Sequence, residues 1–159
     1  MKLLIFSDSH GSVEPMVQAA RMEQPHRIIH LGDYTGDGDQ LRDQLPMTTV
    51  YQVAGNCDRW CYTQQYTEEA HLNLDGVPFY LTHGHKHNVK NGLDKLRYAA
   101  GILDVRVALF GHTHHCCCED DGELLLFNPG SCSDWGGTYG VIEVFRGELR
   151  SCEIKPFLR

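Results

Sequence analysis

Seven residues spread from position 8 to position 114, Asp8, His10, Asp33, Asn56, His83, His112 and His114, carry side chains able to ligate divalent metal ions. They stand in short glycine-containing contexts: SDSHG, LGDYTG, AGNCDR, LTHGH and FGHTHH. Asp8 and His10 are two residues apart, so in extended chain both project to one side and can reach one ion. His112 and His114 repeat the spacing. Taken singly, each fragment has a structural reading: a capping Asp beside a surface His, a Gly-Asp turn at position 33, an Asx-turn at Asn56, solvated loop histidines further on. Independent turn usage, however, gives no reason for successive strand ends to deliver only oxygen and nitrogen donors. Two Asp, one Asn and four His make a set too large and too hard for structural zinc, which closes with four Cys or His ligands. A centre of two ions with open positions accounts for all seven. His85, two residues past His83, is the candidate to contact a ligand bound at such a centre, with a solvated loop His as the alternative. Arg59 is a candidate to meet an anionic group of that ligand, with an ion pair to Asp58 as its structural alternative.

Five loops must converge for this to be one site. Most of the clusters follow a short apolar run, which places them on loops at strand ends, where α/β folds carry their chemistry. Leu3 to Phe6 reads as a strand buried on both faces. Glu14 to Gln24 reads as a helix, with Ser12 as N-cap and Pro25 as stop. Ile28 to Leu31, Gln40 to Leu45 and Thr48 to Ala54 follow as strand, short helix and strand. Two successive βαβ units imply right-handed crossovers and a largely parallel sheet. The second half is richer in strands: a hairpin of His71 to Asp75 with Val77 to Thr82 around Asp75-Gly76, then one long helix from Lys90 to Leu103, then a strand from Val105 to Phe110. Cys116 to Cys118 with Leu124 to Phe127, and Tyr139 to Phe145 with Glu148 to Ile154, read as two further hairpins. Two stacked sheets with helices on their outer faces would cover every apolar face.

The 159 residues, 42% apolar and 22% charged, suit one domain, 1–159, with a core that needs no disulfide. No repeat, low-complexity tract or linker interrupts it. No apolar run approaches the roughly 18 to 20 residues that span a bilayer. MKLLIFSDSH has too short an apolar stretch for a signal peptide. A formal net charge of −7, from 14 Lys and Arg against 21 Asp and Glu, argues against nonspecific nucleic-acid binding. An anionic substrate would therefore need a local positive centre, which bound divalent ions supply. Seven cysteines, at 57, 61, 116, 117, 118, 132 and 152, include no C-x-x-C pair, so reduced thiols in the cytoplasm are expected. Cys116, Cys117 and Cys118 beside His115 invite a reading as a soft-metal or redox cluster, but successive strand residues point to opposite faces and would need a bend to converge.

The motifs DSH (8–10), GD (32–33), GNCD (55–58), HGH (83–85), GHTH (111–114) and NPGS (128–131) resemble, in order, those of the calcineurin-like metallophosphoesterases. The likeness is strongest to the small single-domain phosphodiesterase branch that also contains the scaffold subunit of the retromer sorting complex. The resemblance implies an α/β fold, a four-layer α-β-β-α sandwich of two mixed sheets flanked by helices. It further implies that Asp8, His10 and His114 hold one metal, that Asn56, His83 and His112 hold the second, and that Asp33 bridges them. The expected activity is hydrolysis of a small phosphodiester by a hydroxide shared between the two ions, with Asn56 ligating through its carbonyl and its amide free to meet a phosphate oxygen. Manganese is the expected metal, with zinc, iron and nickel compatible with the same ligands.

Two departures from the family pattern bear on this. Many members have His after the Gly-Asn, where it helps protonate the leaving group; here it is Cys57, read as a small buried filler. A thiol with an ordinary pKa near ~8.5 substitutes poorly for that imidazole, so esters with good leaving groups should be preferred. Asp37 falls one position beyond the second Asp of the GDxxD pattern, with Gly36 in its place, so the resemblance does not carry that residue's supporting role to Asp37. Trp60 and Trp135 are candidates to line a substrate pocket, with packing as the alternative. His26, His30, His71 and His87 receive no role, and the NPGS segment reads as a supporting turn. No membrane partner is expected, and a homo-oligomer is compatible with the sequence. The rival readings are a non-catalytic scaffold on the same fold, for which Cys57 is the one argument, and a thiol-based sensor resting on the Cys run.

Overall fold

The computed structural model describes residues 1–60, 66–133 and 136–158, with Trp60 described by its backbone alone. Cys61 and Trp135 lie outside the described residues, as does the Trp60 side chain. The apolar run at the start forms β1 (Lys2–Phe6), with Leu3, Leu4, Ile5 and Phe6 all wholly buried. Strand alternation divides them: Leu3 and Ile5 enter one core cluster, Leu4 and Phe6 another. A strand with two apolar faces needs cover on both sides, and the rest of the chain supplies it.

Helix α1 (Val13–Glu23), strand β2 (Arg27–His30), helix α2 (Thr35–Gln44) and strand β3 (Thr49–Gln52) follow β1, and the three strands pair in parallel. Further on, β4 (Glu69–Leu74), β5 (Val77–Thr82), α3 (Asp94–Ile102), β6 (Val107–Leu109), β7 (Cys117–Asp120) and β8 (Leu125–Asn128) precede the terminal hairpin of β9 (Thr138–Phe145) and β10 (Glu148–Pro156). One sheet has the order β10-β9-β1-β2-β3 and the other β4-β5-β6-β8-β7. Both are mixed: β9 is antiparallel to β1 and to β10, while β5, β6 and β8 are parallel between antiparallel edge strands β4 and β7.

Between the sheets lie Leu3, Ile5 and Ile29 of the first and Phe79, Leu81, Leu109 and Phe127 of the second. On the outer face of the first sheet, Met16, Val17 and Ala20 of α1 and Leu41 of α2 pack against Leu4, Phe6, Ile28 and Val141. On the outer face of the second, Leu96 and Ala100 of α3 cover Tyr80, Ala108, Phe110 and Leu126. The four layers are therefore α-β-β-α, as the resemblance implied. Among the described residues no helix is long and apolar enough to cross a membrane.

The elements differ from the sequence reading in specific places. Helix α2 begins at Thr35 rather than Gln40, although TGDGDQ has poor helix propensity. The Asp58 carboxylate accepts from the Thr35 N–H at 2.8 Å, and glycine at 38 lets the helix lie against β3, where a Cβ would meet the Gln52 side chain at 2.0 Å. Tertiary contacts, not propensity, start this helix. The segment expected as one helix from Lys90 to Leu103 is a short 3-10 turn, Val89–Asn91, then α3, because Gly92 between them has φ +128, outside helical space. Ser12 occupies the N-cap position of α1 but its side chain makes no capping bond.

Candidate metal centre

Because β1, β2 and β3 are parallel, the loops after them leave the same edge of their sheet. They carry Asp8 and His10, Asp33, and Asn56 respectively; the loops after β5 and β6 bring His83 and then His112 and His114 from the second sheet. Among the described residues, eleven non-glycine residues have positive φ, and five of them are Asp8, His10, Asp33, His112 and His114. Left-handed backbone costs an L-residue roughly 1 to 2 kcal/mol, so the loops hold strain where the candidate ligands are. Two glycines make the approach of the loops possible. A Cβ at Gly55 would lie 2.2 Å from Asp33 Oδ1, and one at Gly111 would lie 1.9 Å from Ser7 Oγ and 2.8 Å from Asp8 Oδ2.

The donor atoms converge. Asp8, His10 and His114 form one group whose ligand atoms all lie within 4.8 Å of one another; Asp8, Asp33 and His83 form a second. Asp8 Oδ2 is occupied by the Ser7 hydroxyl at 2.6 Å and the His112 N–H at 3.1 Å. Its Oδ1 instead faces His114 Nε2 at 3.3 Å and His83 Nε2 at 3.7 Å. Asp33 divides its oxygens, Oδ2 lying 3.8 Å from His10 Nε2 and Oδ1 lying 3.4 Å from His83 Nε2. The His83 Nδ1–H donates to the Leu31 carbonyl at 2.8 Å, which leaves the Nε2 lone pair directed at the carboxylates. The His112 ring lies 5.1 Å from that of His83. Asn56 borders the same group through its neighbour Cys57, whose N–H donates to Asp33 Oδ1 at 2.9 Å. Asp8 Oδ1 thus lies within 3.7 Å of a histidine of each group.

A cation fits this arrangement on the molecule's own terms. Asp8 Oδ1, His10 Nε2, Asn56 Oδ1 and His83 Nε2 are buried with no hydrogen-bond partner. A buried polar atom left unpaired costs on the order of 1 to 3 kcal/mol, and four such atoms on neighbouring loops point to a ligand that accepts lone pairs. The titration of the groups agrees. Burial opposes it, but the nearby His83 imidazole and then the Cys57 N–H hold Asp33 well below the usual carboxylate range. Burial raises the Asp8 carboxyl, partly offset by His83. Burial also lowers His83, yet Asp33 and Asp8 outweigh it and raise that imidazole, while His112 is pushed down to about 4 by burial and by His83. Two carboxylates that draw a proton onto His83 would draw a cation in its stead.

Several residues that hold this geometry were not read as functional from sequence. Asp58, taken as a partner for Arg59, is buried and accepts from three backbone N–H groups: Gly55 at 2.7 Å, Thr35 at 2.8 Å and Asp33 at 2.9 Å. Asp37, displaced by one position from the family pattern, still reaches the first loop, where Oδ2 accepts from Ser9 Oγ and Gly11 N, both at 2.7 Å. His30 was given no role. It is wholly buried, its Nδ1 accepts from Gly32 N at 3.4 Å, and its Nε2 therefore carries the proton offered to Ser9 Oγ at 2.9 Å. Burial pushes this imidazole down to about 4, so it is neutral near pH 7. The NPGS segment supports the site: Ser131 Oγ donates to the Asp8 carbonyl at 2.9 Å and Asn128 Nδ2 to the Gly111 carbonyl at 3.0 Å.

The remaining candidates lie at the rim. Cys57 is exposed rather than buried, with Sγ 3.6 Å from Asn56 Nδ2. Local desolvation and the Asp33 carboxylate push its thiol up to about 11. His85 has Nε2 3.4 Å from Glu68 Oε1 and a buried Nδ1 with no partner, its ring 5.6 Å from that of His83. Burial, then His83, lowers its pKa. Arg59 makes no ion pair with Asp58; it lines a cleft of about 530 Å³ with Thr35, Tyr66 and Glu68. On the other flank, Lys90, Thr113 and His115 share a cleft of about 690 Å³ with Leu93 and Phe110.

Residues 1–146 match the calcineurin-like phosphoesterase superfamily domain. The chain belongs to that superfamily. Probable metallophosphoesterase YsnB of Bacillus subtilis is 34% identical over 134 residues, 82% of this chain and 75% of that protein. Phosphodiesterase YfcE of Escherichia coli is 28% identical over 173 residues, 90% of this chain and 88% of that one. Its solved structure superposes with a TM-score of 0.68 at 22% identity, covering 96% of this chain and 98% of that one. Vps29 of Entamoeba histolytica, solved as a complex with Zn2+, superposes with a TM-score of 0.75 at 20% identity, covering 99% of this chain and 100% of that one. The two superpositions establish that this calcineurin-like chain shares their fold.

Proposed function

We propose that this member of the superfamily hydrolyses small phosphodiesters that have good leaving groups, at a centre of two divalent ions for which manganese is the best activator. The observation that carries the reading is that Asp8, His10, Asn56 and His83, on loops from both sheets, each hold a buried side-chain atom with no hydrogen-bond partner, while Asp8 groups with His10 and His114 on one side and with Asp33 and His83 on the other. Asp8, His10 and His114 would hold one ion, and His83, His112 and Asn56 the other, with Asp33 shared and Asp8 Oδ1 close to both sets. Ions bound there supply Lewis acidity toward water and phosphate.

The chain's own groups do the rest. Asn56 turns its oxygen inward and its amide toward Cys57 at the surface, so the amide is free to donate to a phosphate oxygen. Arg59 lines the adjoining cleft, where it can receive the anionic part of a substrate. His85 offers Nε2–H to Glu68, which leaves Nδ1 an acceptor. It orients a donor on substrate or water and does not hand over a proton. With a thiol pushed up to about 11 at position 57, the described residues of this rim offer no competent general acid, so the leaving oxygen must depart as a stable anion.

The test is to strip the protein with chelator, restore single metals, and assay a bis-aryl phosphate beside an alkyl monoester. Manganese should restore turnover of the aryl diester most fully, and Asp33→Ala and His112→Ala should each lower it by about 100-fold or more. Full activity in both variants would sink the two-ion centre. Equal rates on the alkyl monoester would overturn the leaving-group preference, and absence of turnover with every metal is the outcome the scaffold reading requires. The expected setting is the cytoplasm, with which the six free thiols among the described residues agree.

A further inference from the structure

The cysteine run at 116–118 does not converge on one point. Cys116 Sγ lies 3.4 Å from Thr138 Oγ1 and Cys117 Sγ lies 3.8 Å from the Leu126 carbonyl. Cys118 is different: its Sγ is 3.1 Å from Cys152 Sγ, 34 positions further along the sequence. Cys118 stands on β7 and Cys152 on β10, and these are edge strands of the two different sheets. Among the described residues no backbone hydrogen bond joins β7 to β10, so the contact between these strands is made by side chains. Cys118 is exposed and Cys152 half-buried, so a small reagent in solution reaches Cys118 first.

We propose that Cys118 and Cys152 form a dithiol modification site, which a low-molecular-weight disulfide oxidises to a disulfide that staples the two sheets. The Cys118 thiolate, having released its proton to water, attacks one sulfur of the small disulfide. The reagent's S–S bond breaks and one small thiolate leaves, taking up a proton. The Cys152 thiol then loses its proton to water and attacks the Cys118 sulfur of the mixed disulfide, expelling the second small thiolate, which takes up a proton. Two protein thiols are oxidised and one small disulfide is reduced to two thiols, so electrons and protons balance. The short separation gives the second attack a high effective concentration, which favours the intramolecular disulfide over the mixed one. Neither cysteine belongs to the candidate metal centre, and the site operates whether or not the chain turns over an ester. Its mechanical target is specific: β7 is the strand that follows the loop of His112 and His114, so the staple anchors the far end of that loop's continuation to β10.

The experiment is incubation of the intact, folded protein with oxidised glutathione, followed by alkylation under denaturing conditions and mass measurement. Two fewer alkylated cysteines than in the reduced protein are expected, with no glutathione adduct retained at those two. A cross-linked peptide pair containing Cys152 should appear and vanish with dithiothreitol. Cys118→Ser and Cys152→Ser should each abolish the cross-link, while Cys116→Ser and Cys117→Ser keep it. Cys152→Ser should instead accumulate glutathione on Cys118. Closing a loop of this size should raise the melting temperature by roughly 5 to 10 °C in the oxidised protein, and not in either serine variant. An unchanged alkylation count would overturn the proposal, as would a cross-link that survives in Cys118→Ser or an equal rise in melting temperature in Cys152→Ser.

Discussion

Asp58 touches no candidate ligand atom, yet its carboxylate gathers the N–H groups of Asp33, Thr35 and Gly55, which lie on two different loops. Replacing it with alanine leaves three backbone donors to find water in a buried place. Asp58→Ala should therefore destabilise the fold by about 3 kcal/mol, read as a lowered urea midpoint with an unchanged slope. Asp58→Asn, which keeps one acceptor oxygen, should lose less; equal losses would mean that the carboxylate is not what joins the loops. From sequence Asp58 reads only as a neighbour of Arg59, because its partners are 3, 23 and 25 residues away and only folding brings them together. The candidate ligand positions were legible as a set, since most of their clusters follow a short apolar run in a fixed order. His30 and Asp37 were not, because their partner, Ser9, is an unremarked residue inside the DSH motif. Cys57 permits a chemical test at the same scale. An imidazole restored there by Cys57→His should raise turnover of a diester with a poor alkyl leaving group by about 10-fold or more relative to an aryl diester. A uniform change on both substrates would mean that proton donation is not what position 57 lacks.

Strands were the most readable elements. β1, β5 and the core of β9 are continuous apolar runs, and burial on both faces demands such runs whatever the neighbours are. Helix α2 was readable only in its second half, because Thr35 to Asp39 is helical through contacts with Asp58, Ser9 and Gln52 rather than through its own propensity. The end of α1 offers a quantitative check on how elements are tied. Glu23 receives hydrogen bonds from Lys2 of β1, Tyr139 of β9 and Lys155 of β10, so one carboxylate joins the helix to three strands. Partial burial opposes ionisation, but Lys155, Lys2 and Tyr139 outweigh it and hold the Glu23 carboxyl down to about 2. A folded pKa below the unfolded value means the unfolded chain binds the proton more readily. The stabilisation is then complete above the unfolded value near 4.5 and is lost as pH falls through about 2. Glu23→Gln should accordingly cost about 2 kcal/mol at pH 7, with the difference from the natural protein shrinking across that acid window. A difference that stays constant down to pH 2 would assign the loss to packing instead.

At the scale of the whole molecule, the candidate ligands divide between the sheets: Asp8, His10, Asp33 and Asn56 follow strands of one, His83, His112 and His114 strands of the other. The interior between the sheets is apolar and nondirectional, with Ile5, Leu81, Leu109 and Phe127 at its centre, so it favours contact without fixing the loops at its rim. Ligands drawn from both sides would supply the missing directionality, since ions that bind only the folded arrangement would hold the two sheets in one register at that edge. Folding and metal binding are then linked by mass action. Free ion at 100 times its dissociation constant adds about 2.7 kcal/mol, which for a chain of this length is roughly 5 to 10 °C in melting temperature. Chelator-stripped protein should therefore melt lower than manganese-loaded protein by that margin, and the gap should widen with the logarithm of free manganese. Asp33→Ala removes the oxygens that face both His10 and His83, so its melting temperature should be nearly insensitive to manganese, whatever its value in chelator. The comparison rests on the response to metal and not on absolute stability, so a generally weakened variant does not mimic the result. If Asp33→Ala gained as many degrees from manganese as the natural chain, the ions would be binding elsewhere and would not be what joins the two sheets at this edge.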